Sequence, residues 1–564
     1  MAAFMRFFLP LALLFMLALV PRLYSAQTLG WGWDNPDSFT LINYDEGGSC
    51  RSALQGFSYS PFIGYQTIAL ASVVGAGPPA STLDDAAIAK RYCHSSIHVL
   101  VARSYSALLG AGTVVVLALL ALQLVPAQPA VAFTSAALLA LSGFHLSHSQ
   151  SGTVDAASTF FIYSFLAALA WAVRRRYSEG FLLALALCIA AVWTKYWVFA
   201  VFAWLALVPE PWWRYISRGF SRGRIAALVV AASVLVAAMV NIAWPQWGLV
   251  PLALVYFAIV PWRAVARPMA LCWLLLPALC WLFLQVDLIN AYTQGGGGGR
   301  FGSGYNAIGE NKWLRNLFNI PMLLLVALGL PALLFVPKGV SKLLSLTEGQ
   351  RLWVCMLPVL VFLLFMAFLA PVTYYRHYLP LLPAVALLAA LGLHNTAWGQ
   401  RRWFLALFFV WPAMLAWDMV SDYHNDPRKA LRPWYQEHVG AQVFTSYYVN
   451  PPPGRNALFR PEFAEGDGAV LRRADYLILS ENWYDTAFAN ELNGPLVSRQ
   501  ENLIKTTPEY TAFYRSAVAN EHPLLELERE IDLHHFMPEM LLHRALYGNV
   551  QLFVGDLKLF RIRE

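Results

Sequence analysis

Charged residues are scarce in this sequence. Only 13% of the 564 residues are Asp, Glu, Lys or Arg, whereas 58% are hydrophobic and the mean hydropathy is +0.50. A soluble protein of ordinary composition carries about 25% charged residues, so the low charge content argues against a soluble globular chain. The formal net charge of +7 could suggest nucleic acid as a partner. The basic residues, however, lie in short loops between apolar blocks, so we expect no nucleic-acid binding.

Cysteine is also rare, and no pair has the spacing of a metal site. Of the six cysteines, four fall inside apolar blocks and are expected to be small core residues. Cys50 and Cys93 fall in the first hydrophilic segment. If that segment faces an oxidising compartment, they could form a disulfide, and the residues alone leave this open.

What the sequence has in abundance is long apolar blocks. Each crossing of a bilayer by a helix needs about 20 such residues, and this criterion predicts about thirteen spans. No inverted repeat of the kind found in many transporters is visible. The predicted spans lie near residues 4–24, 97–124, 129–147, 153–173, 180–194, 196–209, 225–243, 248–262, 268–286, 313–336, 351–370, 378–394 and 402–418.

The first span could instead be a cleaved signal peptide, since Tyr24-Ser25-Ala26 follows the apolar run. An uncleaved span is favoured because the run reaches nearly to Leu23. With the N-terminus in the cytoplasm, every strongly basic short loop falls on the cytoplasmic side, as the positive-inside rule requires. These loops contain Arg174-Arg175-Arg176, Arg214 to Arg224, Arg263 and Arg267, Lys338 and Lys342, and Arg401-Arg402.

The same orientation leaves three segments outside, at about 25–96, 287–312 and beyond 419. The sequence therefore predicts a polytopic α-helical domain over 1–420, with a large first outer loop, in the inner (cytoplasmic) membrane. Residues 421–564 are polar and long enough for a core of their own. Strand-like runs at 475–479 and 550–562 predict a mixed α/β soluble domain on the extracytoplasmic side.

Two groups of acids could carry chemistry. Asp45 and Glu46 are adjacent, follow the first span and precede Gly47-Gly48. A carboxylate there could accept a proton from a hydroxyl or bind a divalent cation, and a solvated acidic turn is the simpler interpretation. Asp155 is expected at the outer end of a span, where a carboxylate usually marks a site. It could also serve only as a helix cap.

Six cations are expected on the outer side, against the positive-inside trend, so acids or an anionic ligand should compensate their charge. Lys195 is the most suggestive, because it lies between two apolar spans; snorkelling to the headgroups is the alternative. Arg376 could equally be an interface anchor. The six are Arg51, Arg103, Lys195, Arg300, Lys312 and Arg376.

Four stretches together resemble the polytopic glycosyltransferases of the GT-C fold, which use a lipid-phosphate sugar donor. The nearest branch is that of bacterial protein O-mannosyltransferases and aminoarabinose transferases. No single stretch is specific to this family. The four together, in this order and on this side of the membrane, are fairly specific. The stretches are Asp45-Glu46 with Ala53-Leu54 and Ser60-Pro61, His145 to Asp155 with Phe160-Phe161, Thr194-Lys195-Tyr196, and Tyr375 to Pro383.

The resemblance implies transfer of a sugar from a polyprenyl-phosphate donor to a hydroxyl of a protein, glycan or lipid acceptor outside the membrane, with inversion at the anomeric carbon. It implies catalytic roles for Asp45, Glu46 and Asp155. Lys195, Arg376, Arg51 and Arg300 become candidates for the donor phosphate, and His145, His148 and Tyr65 for the pocket lining. The chain has Gly47-Gly48 where the aminoarabinose branch has a basic residue, for which Arg51 could substitute. Dependence on a divalent metal ion stays open.

Two other function classes compete with this interpretation. A transporter or flippase of a lipid-linked saccharide would also have many spans and buried charges. A large outer domain and acids concentrated at one face argue against it. The second competing class is an accessory subunit of envelope assembly that works through its C-terminal domain.

Overall fold

The computed structural model describes residues 2–28, 46–56, 60–175, 178–195, 200, 203, 320–321, 323–345, 353–368, 375–446, 449, 470–481, 508–532 and 555–563. Helices dominate the described part up to residue 437. They are α1 (Ala2–Thr28), α2 (Gly48–Gln55), α3 (Pro61–Val73), α4 (Ala86–Cys93), α5 (Ser96–Leu124), α6 (Pro129–Ala140), α7 (Gly143–Ser149), α8 (Val154–Arg175), α9 (Ser178–Thr194), α10 (Leu330–Leu333), α11 (Val336–Ser345), α12 (Leu357–Phe368), α13 (Leu381–His394), α14 (Arg402–His424) and α15 (Leu431–Glu437).

Among the described residues, three helices are long and apolar enough to cross a membrane, namely Phe7–Gln27 within α1, α5 and α8. All three coincide with predicted spans. The count of thirteen is not tested, because the predicted spans at 196–209, 225–243, 248–262 and 268–286 lie almost wholly outside the described residues. What the structure gives is a set of apolar membrane helices joined to a small mixed domain.

The predicted single span at 129–147 is wrong in one respect, since it is broken into α6 and α7 with a bend of 64°. Ser142 lies at the break, and its hydroxyl accepts a hydrogen bond from the His145 N–H at 3.4 Å. A serine cap of this kind starts a new helix instead of continuing the old one. The hydropathy of this apolar run did not indicate the break.

The predicted span at 313–336 is also interrupted. Gly329 adopts a φ of +84°, which is open to glycine and strained for other residues. A Cβ atom at Gly329 would overlap the indole of Trp411 in α14, so the tight packing here also needs glycine. The short helix α10 and then α11 follow the break.

The core of the helical part is centred on α8. Residues Ile162, Phe165 and Leu169 of α8 are fully buried, as is Leu117 of α5. Close approach of α5 and α8 depends on small residues, as is usual between membrane helices. At Gly112 a Cβ would lie 2.7 Å from the Phe160 ring, so no side chain fits there without movement.

Beyond residue 437, the described residues form a small mixed sheet of four strands and one helix: β1 (Val443–Thr445), β2 (Tyr476–Ser480), α16 (Pro508–Val518), β3 (Leu525–Ile531) and β4 (Leu557–Ile562). The strand order is β1-β2-β4-β3. β1 is parallel to β2, whereas β4 is antiparallel to both of its neighbours. Leu477, Leu479 and Phe560 pack with Tyr514 of α16 to form its core.

Candidate active site

Asp155 and Lys195 form a buried ion pair at one end of the α8–α9 hairpin. Asp155 lies in the first turn of α8, and Lys195 directly follows the last turn of α9. Because only residues 176 and 177 separate these two helices, they run antiparallel, and the start of α8 meets the end of α9. Lys195 Nζ donates to Asp155 Oδ1, with Lys195 13% exposed and Asp155 5% exposed.

Arg376 and His148 join this pair from two other parts of the chain. Arg376 lies in a 3₁₀ turn at Tyr375–Tyr378, just before α13, and His148 lies in α7. Both interact electrostatically with the Asp155 carboxylate, as Lys195 does. Residues from three of the four stretches that carry the sequence resemblance therefore interact electrostatically in this group.

Glu46 is the described member of the vicinal acids, and it is anchored rather than free. Its two carboxylate oxygens accept from Arg103 Nε and Nη2, each at 2.8 Å, and Oε1 also accepts from the Gly152 N–H at 2.8 Å. Glu46 is 1% exposed and Arg103 is fully buried. Bidentate pairing of this kind fixes both partners in one geometry. Gly152 lies three residues before Asp155, so Glu46 ties its loop to the segment that leads into α8.

Gly47, which follows Glu46, needs to be glycine. Its φ is +82°, and a Cβ there would lie 2.8 Å from the His94 ring and 3.0 Å from the Cys93 carbonyl oxygen. Burial lowers the pKa of His94 to about 4, assisted by the charges of Lys90 and Arg51. A neutral imidazole therefore packs against the residue after the vicinal acids at neutral pH.

A disulfide between Cys50 and Cys93, with Cα atoms 5.7 Å apart, holds the same region. It joins α2 to the end of α4, and both cysteines are buried. The alternative that the sequence left open is thus resolved in favour of the bridge. Three interactions hold the loop that carries Glu46 in place: the ion pair with Arg103, the hydrogen bond from Gly152 and the disulfide.

One buried cation was missed by sequence reasoning. Arg22 of α1 is fully buried, and its Nη1 donates to the Ala18 and Ala140 carbonyls at 2.8 and 3.2 Å. Its Nη2 lies 2.9 Å from His145 Nδ1. An arginine within an apolar run is costly in a membrane and is a signal that could have been used. Arg22 is thus a structural partner of His145, which was predicted to line the pocket.

The remaining predicted site residues divide into three groups. Arg51, half-buried on α2, acts on His94. Tyr65 on α3 is 57% exposed. Asp45 and Arg300 lie outside the described residues, so their predicted roles are not tested.

Dependence on a divalent metal ion stays open. Within the described ranges, no group of three or more His, Cys, Asp or Glu side chains could hold a metal ion. Glu46 has its oxygens occupied by Arg103 and Gly152, and Asp155 is paired with Lys195. The described donors therefore do not fit a divalent cation.

Comparison with known proteins adds three likenesses to solved structures. The apo oligosaccharyltransferase of Archaeoglobus fulgidus matches with 12% identity and a TM-score of 0.48, over 100% of this chain and 89% of that one. The oligosaccharyltransferase AglB of the same organism, in complex with an inhibitory peptide and a dolichol-phosphate, matches with 13% identity and a TM-score of 0.40, over 97% and 88%. ArnT from Cupriavidus metallidurans, bound to undecaprenyl phosphate, matches with 12% identity and a TM-score of 0.42, over 85% and 94%.

No protein-family model and no curated protein sequence matches the chain. At 12% to 13% identity and TM-scores below 0.5, the solved structures establish neither family membership nor an activity for this chain. Its function must be argued from its own residues.

Proposed function

We propose that this protein is a membrane glycosyltransferase that moves a sugar from a polyprenyl-phosphate donor to an acceptor hydroxyl on the extracytoplasmic face. The observation that carries the proposal is the group formed by Asp155, Lys195, Arg376 and His148 at the end of a membrane helix. Ionisable residues at such a position are costly and normally serve a ligand or a pathway.

The charge of this group favours a phosphate. Lys195 and Arg376 contribute two positive charges, and Asp155 contributes one negative charge. Two cations therefore lie beside one acid in this group. An arginine offers paired donors to phosphate oxygens and a lysine offers a point charge. Asp155 then holds Lys195 in place and limits the excess charge when no lipid is bound.

Asp45 is the proposed general base. It directly precedes Glu46, whose carboxylate is saturated by Arg103 and Gly152. Glu46 is therefore better suited to positioning the loop than to accepting a proton. A base must come within about 3 Å of the hydroxyl whose proton it takes, so the loop has to be held firmly.

The proposed reaction is a single displacement. The acceptor oxygen attacks the anomeric carbon and forms the new glycosidic bond while the bond from that carbon to the phosphate oxygen breaks. The hydroxyl proton passes to Asp45, and the electron pair leaves with the lipid phosphate. Lys195 and Arg376 stabilise the charge that develops there, as preoriented cations do in a site with little water. Configuration at the anomeric carbon is inverted.

The proposed orientation rests on two independent features. The basic short loops predict the side of each span. The Cys50–Cys93 disulfide lies in the first loop, and disulfides persist in oxidising compartments rather than in the cytosol. Both features support a first loop, and with it the acids, on the outer side of the membrane.

The decisive experiment measures transfer by purified protein in detergent. Undecaprenyl-phosphate-linked hexose is the donor, and a panel of peptide, glycan and lipid hydroxyl acceptors is supplied. We expect product from the unaltered protein, none from Asp45→Asn, and unchanged turnover from Asp84→Asn, an exposed acid in the same loop. No hydrolysis or transfer by the unaltered protein, together with movement of the lipid across vesicles, would favour the flippase alternative.

A further inference from the structure

Gln150 is a fully buried amide with neither of its polar atoms paired. Its Nε2 and Oε1 both have no hydrogen-bond partner in the described part of the chain, and the side chain is 0% exposed. A primary amide offers two donors and two acceptor lone pairs. Leaving such buried atoms without partners is unfavourable, so the working protein must supply them.

Gln150 is not alone in this respect. His145 Nε2 and His148 Nδ1, both buried and within five residues of Gln150, also have no partner within the described ranges. Ser106 Oγ on α5 is a further buried atom of this kind. A concentration of donors and acceptors in one buried segment is characteristic of a place that a polar ligand occupies.

The position of Gln150 links this segment to the proposed reaction. Two residues before it, His148 interacts with Asp155, Arg376 and Lys195. Two residues after it, the Gly152 N–H binds Glu46. In the sequence, Gln150 therefore lies between a residue of the group assigned to the phosphate and the anchor of the loop assigned to the acceptor. In the proposed reaction the donor sugar must lie between that group and that loop.

We propose that Gln150 binds hydroxyl groups of the donor sugar and thereby selects which sugar is transferred, with His148 assisting. This inference rests on the proposed function and adds to it a residue that determines specificity. A sugar hydroxyl donates and accepts at once, which matches the unpaired amide. A buried site built to bond a hydroxyl discriminates strongly against a ligand that lacks it, because its own polar atoms are then left unpaired.

The test compares two lipids that differ only in the sugar. Undecaprenyl phosphate and undecaprenyl-phosphate-linked hexose are titrated against the unaltered protein and Gln150→Leu by native mass spectrometry. We expect Gln150→Leu to weaken binding of the hexose lipid by about tenfold or more, the equivalent of one or more lost hydrogen bonds. Binding of the bare lipid phosphate should stay within about twofold. Gln400→Leu, at an exposed glutamine, is the matched control and should alter neither.

Each other outcome overturns one claim. Equal loss for both lipids, or loss for neither, would mean that ordered water or packing satisfies Gln150, and the specificity role would be wrong. Failure of the unaltered protein to bind either lipid would instead refute the proposed function, and the role of Gln150 would fall with it. If Gln150→Leu does not fold, Gln150→Asn retains the amide at a shorter reach and should show the same selective loss.

Discussion

Glu46 and Arg103 form a buried, bidentate ion pair. Both are buried, so neither can exchange its partner for bulk water. A carboxylate with two guanidinium bonds and one backbone bond has little remaining capacity to accept a proton. This is why we assign Glu46 a positioning role and leave proton transfer to Asp45.

We predict that Glu46→Gln and Arg103→Met each destabilise the protein strongly. Removing one partner of a buried pair typically costs about 3–5 kcal/mol, because the other charge is left without compensation. The double variant should lose less than the sum of the single losses. Thermal unfolding in detergent measures all three, with Asp84→Asn as control. Additive losses would show that the two side chains do not interact.

The lowered pKa of His94 predicts how the stability of the protein depends on pH. Its pKa falls from 6.5 in the unfolded chain to about 4 in the folded protein, so the unfolded state binds a proton that the folded state does not. The contribution of His94 to the free energy of unfolding is therefore fully present above pH 6.5 and is lost as the pH falls towards 4. At about 1.4 kcal/mol per pKa unit, the decline amounts to about 3 kcal/mol.

Thermal unfolding between pH 7.5 and pH 4 checks this dependence. His94→Gln should flatten the decline, whereas His424→Gln, at an exposed histidine, should leave it unchanged. An unchanged slope in His94→Gln would show that other groups cause the acid sensitivity.

At the scale of elements, spans were predictable where apolar length alone decides them. Residues 153–173 predict a helix that the structure has at Val154–Arg175, and 97–124 correspond to Ser96–Leu124. The breaks at Ser142 and Gly329 were not predictable in this way. They depend on a side-chain cap and on contact with Trp411, neither of which changes the hydropathy of the run.

Site residues were likewise predictable where one residue stands out in the sequence, and not where two distant residues pair. Asp155 and Lys195 could be singled out because each is a charge among apolar residues. Their pairing follows from the short α8–α9 connection. The pairing of Glu46 with Arg103 and of Arg22 with His145 could not be read in this way, since the partners lie 57 and 123 residues apart and belong to elements with no shared pattern.

The disulfide between α2 and α4 predicts a stability difference at this scale. It closes a separation of 43 residues. In the chain-entropy model such a bridge contributes on the order of 4 kcal/mol. We expect a reducing agent to lower the melting temperature of the unaltered protein and of Cys188→Ala, a variant at a buried free cysteine. Cys50→Ala/Cys93→Ala should not respond. A response in that double variant would place the reducible bond elsewhere.

At the scale of the whole molecule, the proposed reaction requires one orientation of the chain in the membrane. The acids, the disulfide and the C-terminal domain must lie on the side opposite to the basic loops. Glu521 is exposed in the C-terminal domain, and Ser345 is exposed at the end of α11, near the basic residues Lys338 and Lys342.

This orientation predicts which introduced thiol is accessible in sealed right-side-out vesicles. In a background without the free cysteines, Glu521→Cys should react with a membrane-impermeant maleimide at once. Ser345→Cys should react only after detergent is added. Labelling in the reverse order would invert the topology and put the proposed site in the cytoplasm.

The claim on which the account depends is that Lys195 and Arg376 form a binding site for a lipid phosphate. Native mass spectrometry with undecaprenyl phosphate, and with undecaprenol as the lipid that lacks the phosphate, measures it directly. The account predicts that the unaltered protein and Lys338→Met prefer the phosphate lipid, and that Lys195→Met and Arg376→Met each weaken its binding by about tenfold or more, as expected for a lost charge-assisted hydrogen bond. Equal binding of both lipids, or full binding by both variants, would contradict it.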